Sequence, residues 1–335
     1  MKKWMKKLAL TAATLTLGAN IASPAVSAQT TYDQAFFSSL SEANQSYTAL
    51  KFDGTLSAKM TQNGQTADLG TVTLAGNFNA EPLQGSLTAE VASISLPSIL
   101  TFSAYYQNQV AYLGAPTTAE DGTMTTEYVA YDAARAEAEF LKQFQAGLTQ
   151  ATQNLAAVNA LSEKYTVVTE TDTTYELALK ENIDAAEFWT DLNAAVDLEK
   201  IKADIIAQTE AQTGETLSEE ERASIDQVYS QETFEAFFKT NPRIVSVYDK
   251  ETKLLQSVSL DVSLALNDYL AEGANTEEIG LPENLDVSLA LNFSEHNQAQ
   301  EVTVPAEALE VEVLPLENAA TTDGASTEET TTAAE

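Results

Sequence analysis

An octapeptide that occurs twice, Leu-Asp-Val-Ser-Leu-Ala-Leu-Asn, restricts the possible folds of this chain more than any other feature. The two copies span Leu260–Asn267 and Leu285–Asn292. In each copy Leu and Val alternate with Asp, Ser, Ala and Asn, and such an alternation places one set of side chains on each face of a β-strand. We therefore predict that the two copies are neighbouring strands of one sheet and share its inner, apolar face.

The same alternation recurs along much of the chain. It predicts a hairpin turning at Asn63-Gly64, a third strand after Glu81-Pro82, and two strands near 101–113. Further strands follow at 165–180, at 244–267 and 285–292, and at Val302–Pro305 and Leu309–Leu314. Together they amount to about eleven strands, and the short turns between them favour a large antiparallel sheet.

Three blocks with helical spacing interrupt the strands, and the fold class predicted is therefore α+β. They cover Tyr32–Thr48, Tyr131–Tyr165 and a long block that begins at Asp184 and stops at Asn241-Pro242. Ser218 and Glu221 have the spacing of a capping box within that last block. The apolar stripes of these helices need a sheet to cover, and no linker separates them from the strands, so residues 29–316 are predicted to form a single domain.

The two ends of the chain have the compositions of a targeting segment and a tail. Met1–Ala28 combines four lysines, an apolar run and small residues before Ala28, which is typical of a secretory signal peptide cleaved after that residue. Residues 317–335 are rich in Thr, Ala and Glu, and we expect a disordered acidic tail there. No later segment is apolar enough to cross a bilayer. We expect a secreted or cell-envelope-associated protein with no transmembrane segment in the mature chain.

The charge balance excludes some classes of partner. Four of the 17 Lys and Arg residues and none of the 50 acids lie in the predicted signal, which leaves 13 basic against 50 acidic residues, a net charge of −37. So acidic a surface repels phosphate backbones, and we predict no nucleic-acid partner.

The chain offers little for catalysis, and we predict neither an enzyme nor a cofactor or metal site. It has no Cys, and its single histidine, His296, lies in a polar stretch typical of a solvated loop. The acids Glu219–Glu221 lack the spacing of a calcium loop and suit the start of a helix. A carboxylate pair for glycoside hydrolysis is conceivable among 50 acids, but Trp189 is the only tryptophan beyond the signal to serve as a sugar platform.

The apolar faces of strands and helices permit two interpretations. They can pack into a closed core, or they can leave a cavity for a hydrophobic ligand between them, and the two arrangements have the same composition. If a cavity exists, we expect it to be lined by Phe52, Leu56, Leu74, Phe102, Tyr105, Phe144, Trp189, Phe237, Leu264 and Leu289.

The order of elements, closed by the Val302–Ala308 stretch VTVPAEA, resembles the lipoprotein-carrier superfamily. That superfamily includes the LolA-type chaperones and the LppX/LprG-type lipid carriers, and similar exported proteins occur in Gram-positive bacteria. The resemblance implies a half-barrel sheet that wraps several helices and encloses a pocket for a lipid or other hydrophobic small molecule. It implies no catalytic residues, and this chain lacks the acylated cysteine of the lipoprotein members. The alternative hypothesis is a cell-wall or envelope interaction protein that uses the fold as a scaffold without a pocket.

Overall fold

The computed structural model describes residues 32–134, 137, 155–266 and 282–315, apart from positions 46, 97, 120 and 214–215. The predicted signal peptide and C-terminal tail lie outside these residues. The twelve strands described are β1 Ala49–Gln62, β2 Gln65–Ala80, β3 Leu83–Ser93, β4 Leu100–Gln107, β5 Val110–Thr118, β6 Met124–Asp132, β7 Thr166–Glu170, β8 Thr174–Leu179, β9 Arg243–Asp249, β10 Leu255–Ala265, β11 Asn284–Ser294 and β12 Val313–Pro315. The seven helices described are α1 Gln34–Ala43, α2 Leu155–Tyr165, α3 Ala185–Ala195, α4 Leu198–Thr213, α5 Glu219–Val228, α6 Gln231–Lys239 and α7 Ala306–Leu309.

All twelve strands belong to one open sheet, in the order β12-β6-β5-β4-β3-β2-β1-β11-β10-β9-β8-β7. The α+β class is confirmed, but the prediction of about eleven antiparallel strands is wrong in two respects. β6 was missed, because its end at Tyr131 was assigned to a helical block. The sheet is mixed, because β12 runs parallel to β6 while the other ten described pairings are antiparallel.

The repeated octapeptide pairs with itself. β10 and β11 are antiparallel neighbours, with Val262 opposite Val287 and each flanking Leu opposite a Leu of the other copy. The two copies are therefore related by a local twofold centred on that valine pair, and their apolar side chains share one face, as the alternation predicted. The Asn63-Gly64 hairpin is also confirmed, since both residues have the positive φ that a tight two-residue turn requires.

Five helices, α1, α2, α3, α4 and α6, pack on that apolar face, here called the inner face, over β8–β11. Phe188 and Leu192 of α3 are buried together with Ile244 of β9 and Leu260 of β10. The same cluster takes in Leu161 and Tyr165 of α2, the α6 phenylalanines and Leu289 of β11. Phe37 and Leu40 of α1 are buried beside Leu177 of β8. These apolar contacts account for the attachment of the helices to this half of the sheet.

Local capping chemistry sets the starts of α3, α5 and α6. Asp184 accepts hydrogen bonds from two backbone N–H groups of α3, and the predicted Ser218–Glu221 capping box is present at α5. Within the long helical block predicted between Asp184 and Asn241, Ser230 caps a new helix, so the stretch after Ser218 consists of α5 and α6. A serine whose hydroxyl accepts from the backbone three residues later competes with continued helical hydrogen bonding.

The chain between β11 and β12 crosses the opposite, outer face of the sheet. Asn79 is 2 % exposed, and its side chain bonds both the N–H and the C=O of Gln300. Gln107 of β4 donates to the carbonyl of Val302. Val302 and Val304 are buried, although the stretch predicted here as a strand pairs with no described strand. The crossing delivers β12 to the free edge of β6.

Hydrogen bonds to the partly exposed Asp191 carboxylate join α2 to α3. They are expected to make the stability of the fold fall at acidic pH. Lys164 Nζ lies 2.5 Å and the Tyr165 hydroxyl 2.6 Å from Asp191 Oδ2, and both donate to it. The hydrogen bond from Lys164, followed by that from Tyr165, lowers the pKa of the Asp191 carboxyl. A lowered native pKa means that the charged form stabilises the fold above the unfolded pKa of about 3.9. That contribution is lost as pH falls through the native pKa.

Asp191→Asn should therefore flatten the acid limb of the stability profile. Between pH ~4 and ~2 the wild type should lose more unfolding free energy than this variant, because only the wild type must protonate the bonded carboxylate. Urea unfolding at each pH measures the difference. Lys164→Gln removes the largest cause of the pKa shift and should flatten the same limb, and an unchanged limb in both variants would contradict this assignment.

Candidate functional site: the uncovered part of the inner sheet face

The inner face continues without interruption from the helix-covered strands to β6. Leu289 of β11 packs against the helices and lies opposite Leu56 of β1. Phe52, four residues before Leu56 on β1, lies on the same face. Phe52 pairs with Gly76 of β2, which pairs with Leu87 of β3. The row then runs through Ala104 of β4 and Leu113 of β5 to Val129 of β6. One apolar surface therefore extends over the two halves of the sheet.

The helices within the described residues bury only one of these halves. The sheet residues in the main helix-packed cluster come from β8 to β11, whereas Leu87, Phe102, Leu113 and Val129 retain 39, 40, 45 and 39 % of their exposure. We call these four residues the apolar patch. They span four strands, about 14 Å at the usual inter-strand spacing. Large apolar side chains gathered on an otherwise polar surface mark interaction sites, whereas single exposed ones need no explanation.

A glycine on β2 helps to flatten the face beside the patch. A Cβ built on Gly76 would lie 2.5 Å from the ring of Phe52, so the ring occupies space that any other residue would fill. The Phe52 ring therefore lies across β2 towards Leu87, its next neighbour along the row. The patch and the Phe52 ring together form a shallow apolar surface.

Two carboxylates flank the patch on its own face. Glu127 lies two residues before Val129 on β6 and is exposed, and residues two apart on a strand share a face. On the other side the Tyr106 hydroxyl, two residues beyond Ala104, donates to Glu137 Oε2 at 2.5 Å. Burial, with the hydrogen bond to Glu137 as second cause, raises the pKa of Tyr106 above its usual value. The rim is therefore anionic, with a neutral tyrosine between one acid and the apolar surface.

The residues predicted to line a cavity do not all come together. Six lie on the inner face of the sheet, and these are Phe52, Leu56, Leu74, Phe102, Leu264 and Leu289. Trp189 and Phe237 lie on α3 and α6 in the helix-packed cluster. Tyr105 lies on the outer face opposite Ser86, because it is three residues from Phe102 and the side-chain period of a strand is two. Phe144 lies outside the described residues.

Three of the four patch residues were missed by sequence reasoning. Leu87 and Leu113 belong to strands that the alternation predicted, and Val129 to the missed strand β6. Their alternation shows that they face the apolar side, but it carries no signal that helices leave this part of the face uncovered. A depression of about 360 Å³ at the α3–α4 junction is lined by residues 193–199, none of which was predicted to line a cavity.

The histidine and the acidic residues do not form a second candidate site within the described residues. His296 was expected to be a solvated loop residue, but its ring is half-buried beside Tyr47, with centroids 5.3 Å apart, and its Nε2 is buried. Within the described ranges no three His, Asp or Glu side chains are grouped as a metal site would require. The described helices include none long and apolar enough to cross a membrane.

Fold and surface together define an α+β protein with one open mixed sheet, half of whose apolar face is covered by helices. Comparison with protein-family models finds none that matches this chain, and comparison with curated proteins finds no significant match.

Proposed function

We propose that this chain is an exported, non-enzymatic binding protein that holds a lipid or other hydrophobic ligand against the uncovered part of its inner sheet face. The observation that carries the proposal is the apolar patch, whose four large side chains stay about two-fifths exposed on neighbouring strands of one face. Burying them under a ligand would recover roughly 25 cal/mol for each Å² removed from water. The resemblance to lipid carriers, in which a sheet of this kind binds acyl chains, agrees with this proposal.

The site proposed differs from the cavity expected between sheet and helices. The covered half of the face is occupied by α3 and α6, whose Phe188 and Phe238 rings lie 4.8 Å apart within the cluster. A ligand would instead lie beside the helices, over β3–β6. Leu74 and Phe102 from the predicted set then contribute to the site, whereas Trp189 and Phe237 support it through the helix layer.

Native mass spectrometry of the mature protein from its secretion host tests the proposal. We expect an additional mass that organic extraction releases as an amphiphile or lipid. Leu113→Asp places a charge in the centre of the patch and should abolish retention of that mass, because an unpaired carboxylate cannot be buried under an apolar chain without a large cost. Thr55→Asp on the outer face of β1 is the matched control, and it should retain the ligand.

Affinity for added amphiphiles should also follow chain length. Each additional methylene buried is worth about 0.8 kcal/mol, which is roughly a fourfold gain in affinity until the chain outgrows the face. An apo mass with no length-dependent binding would contradict the proposal.

A photo-crosslinker at position 113, Leu113→p-benzoylphenylalanine, identifies whatever covers the patch. A lipid adduct supports the proposal. A crosslink to residues 138–154 of the same chain, or to a second copy, would show that the protein covers its own patch and would overturn it. A crosslink to an envelope protein would favour the scaffold hypothesis.

A further inference from the structure

The basic residues of this chain are distributed unevenly with respect to the apolar patch. Residues 60–134, which run from the end of β1 through β6, contain no Lys or Arg, and Arg135 and Lys142, which follow, lie outside the described residues. They contain seven acids, which are Asp68, Glu81, Glu90, Glu120, Asp121, Glu127 and Asp132. No Lys or Arg follows Lys253 either, so β11 and β12 are also free of cations.

The two cations on the nearest strand point away from the patch. Lys51 lies opposite Asn77 and Lys59 opposite Asp68, so both are on the outer face of β1. Each is already engaged, since Lys51 lies 3.4 Å from Glu295 and Lys59 lies 3.6 Å from Asp68. Neither side chain can reach an anionic group placed on the inner face.

The remaining described cations belong to the helix-covered half. The nearest cation-bearing strand on that side is β9, which carries Arg243 and lies five strand spacings from β3. That is about 24 Å along the sheet at the usual spacing. Exposed charges are largely screened beyond a Debye length, about 8 Å at physiological salt. Among the described strands β1–β6, the inner face around the patch therefore carries carboxylates and no Lys or Arg.

From this distribution we infer that the amphiphile held on the apolar patch has a cationic head group, such as an amine or quaternary ammonium, and not an anionic one. The inference rests on the proposed function, since it names the chemical class of ligand for the same face. Glu127 at one side of the patch and Glu137 at the other are the carboxylates placed to receive the head, while Leu87, Phe102, Leu113 and Val129 contact the chain. A carboxylate or phosphate head would be repelled at either side.

Three probes with the same twelve-carbon chain test the inference, each used below its micelle-forming concentration. Calorimetry with the mature protein compares dodecyltrimethylammonium, dodecyl maltoside and dodecanoate at about 0.02 M and about 0.5 M salt. At low salt we expect the cationic probe to bind about tenfold more tightly than dodecanoate, with the neutral probe between them. At high salt the difference should shrink to about threefold or less, because screening removes the charge term and leaves the common chain.

Matched variants locate the preference. Glu127→Gln and Glu137→Gln should each reduce the ratio of cationic to anionic affinity about threefold, while leaving dodecyl maltoside unaffected. Glu90→Gln removes an acid from the outer face of β3, opposite Thr73 and Thr101, and should leave the ratio unchanged.

The outcomes separate this inference from the proposed function. If dodecanoate binds as tightly as the cationic probe, or more tightly, the inference is wrong while the hydrophobic site stands. If Glu90→Gln lowers the ratio as much as Glu127→Gln does, the preference comes from the overall acidity of the protein and the inference is overturned. If none of the three probes binds, the proposed function itself fails.

Discussion

Phe188→Ala is expected to lower the free energy of unfolding by about 3–5 kcal/mol, which is the usual cost of removing a buried phenylalanine ring. Phe188 is 3 % exposed and lies edge-on to Tyr165, with ring centroids 4.8 Å apart. Its other aromatic neighbour is Phe238 of α6, at the same centroid distance. The ring joins α2, α3 and α6 above the sheet, so its loss leaves a cavity that no single helix can fill.

Equilibrium unfolding in urea measures this loss, with an unchanged dependence on denaturant showing that the unfolded state is the same. Phe102→Ala on the apolar patch is the matched control. Phe102 is 40 % exposed, so the same truncation there should cost about 1 kcal/mol or less. Equal losses at the two positions would mean that the patch is part of the core, and the proposed ligand site would be wrong.

Asn79→Ala is expected to destabilise the protein by about 2–4 kcal/mol and to release the segment between β11 and β12. The Gln300 N–H donates to Asn79 Oδ1 at 2.7 Å, and Asn79 Nδ2 donates to the Gln300 carbonyl at 2.8 Å. Alanine removes both partners at a site that is almost inaccessible to water. The Gln300 N–H would then be buried without a hydrogen bond, and its carbonyl would keep only the longer, 3.4 Å bond from Gln84 Nε2, which is more costly than the loss of an exposed bond.

Limited proteolysis followed by mass spectrometry provides the second readout for Asn79→Ala. Cleavage should increase within residues 298–312, because cleavage of a segment follows the population in which it is open. Asn77→Ala is the control, since Asn77 donates a single, longer bond of 3.2 Å to the crossing, at the Glu301 carbonyl. If both variants are cleaved and destabilised alike, Asn79 has no special role in holding the crossing.

Features that depend on neighbouring residues could be predicted from the sequence. The Asn63-Gly64 turn and the Ser218–Glu221 capping box require backbone conformations or hydrogen bonds that span only a few residues. The shared apolar face of the paired octapeptides could also be predicted. When two neighbouring strands have the same alternation, a one-residue shift would place their apolar side chains on opposite faces.

Contacts between distant segments could not be predicted in this way. Val302 and Val304 alternate like a strand, but they are buried in a crossing that hydrogen bonds from Asn79 and Gln107, about 200 residues earlier in the chain, hold against the sheet. The short β12 and its parallel pairing likewise depend on where the crossing ends.

An alternating, one-sided apolar sheet with interspersed amphipathic helices follows from the amino-acid sequence, because each residue's face follows from its parity along a strand. How that face is divided depends on the packing of the helices in three dimensions. Leu289 is packed beneath helices and Leu113 is left 45 % exposed, although both are leucines on alternating strands of the same sheet. Burial is a property of the elements that meet a residue and not of the residue itself. The uncovered face, and with it the candidate binding site, therefore emerges only when the helices are placed over β8–β11.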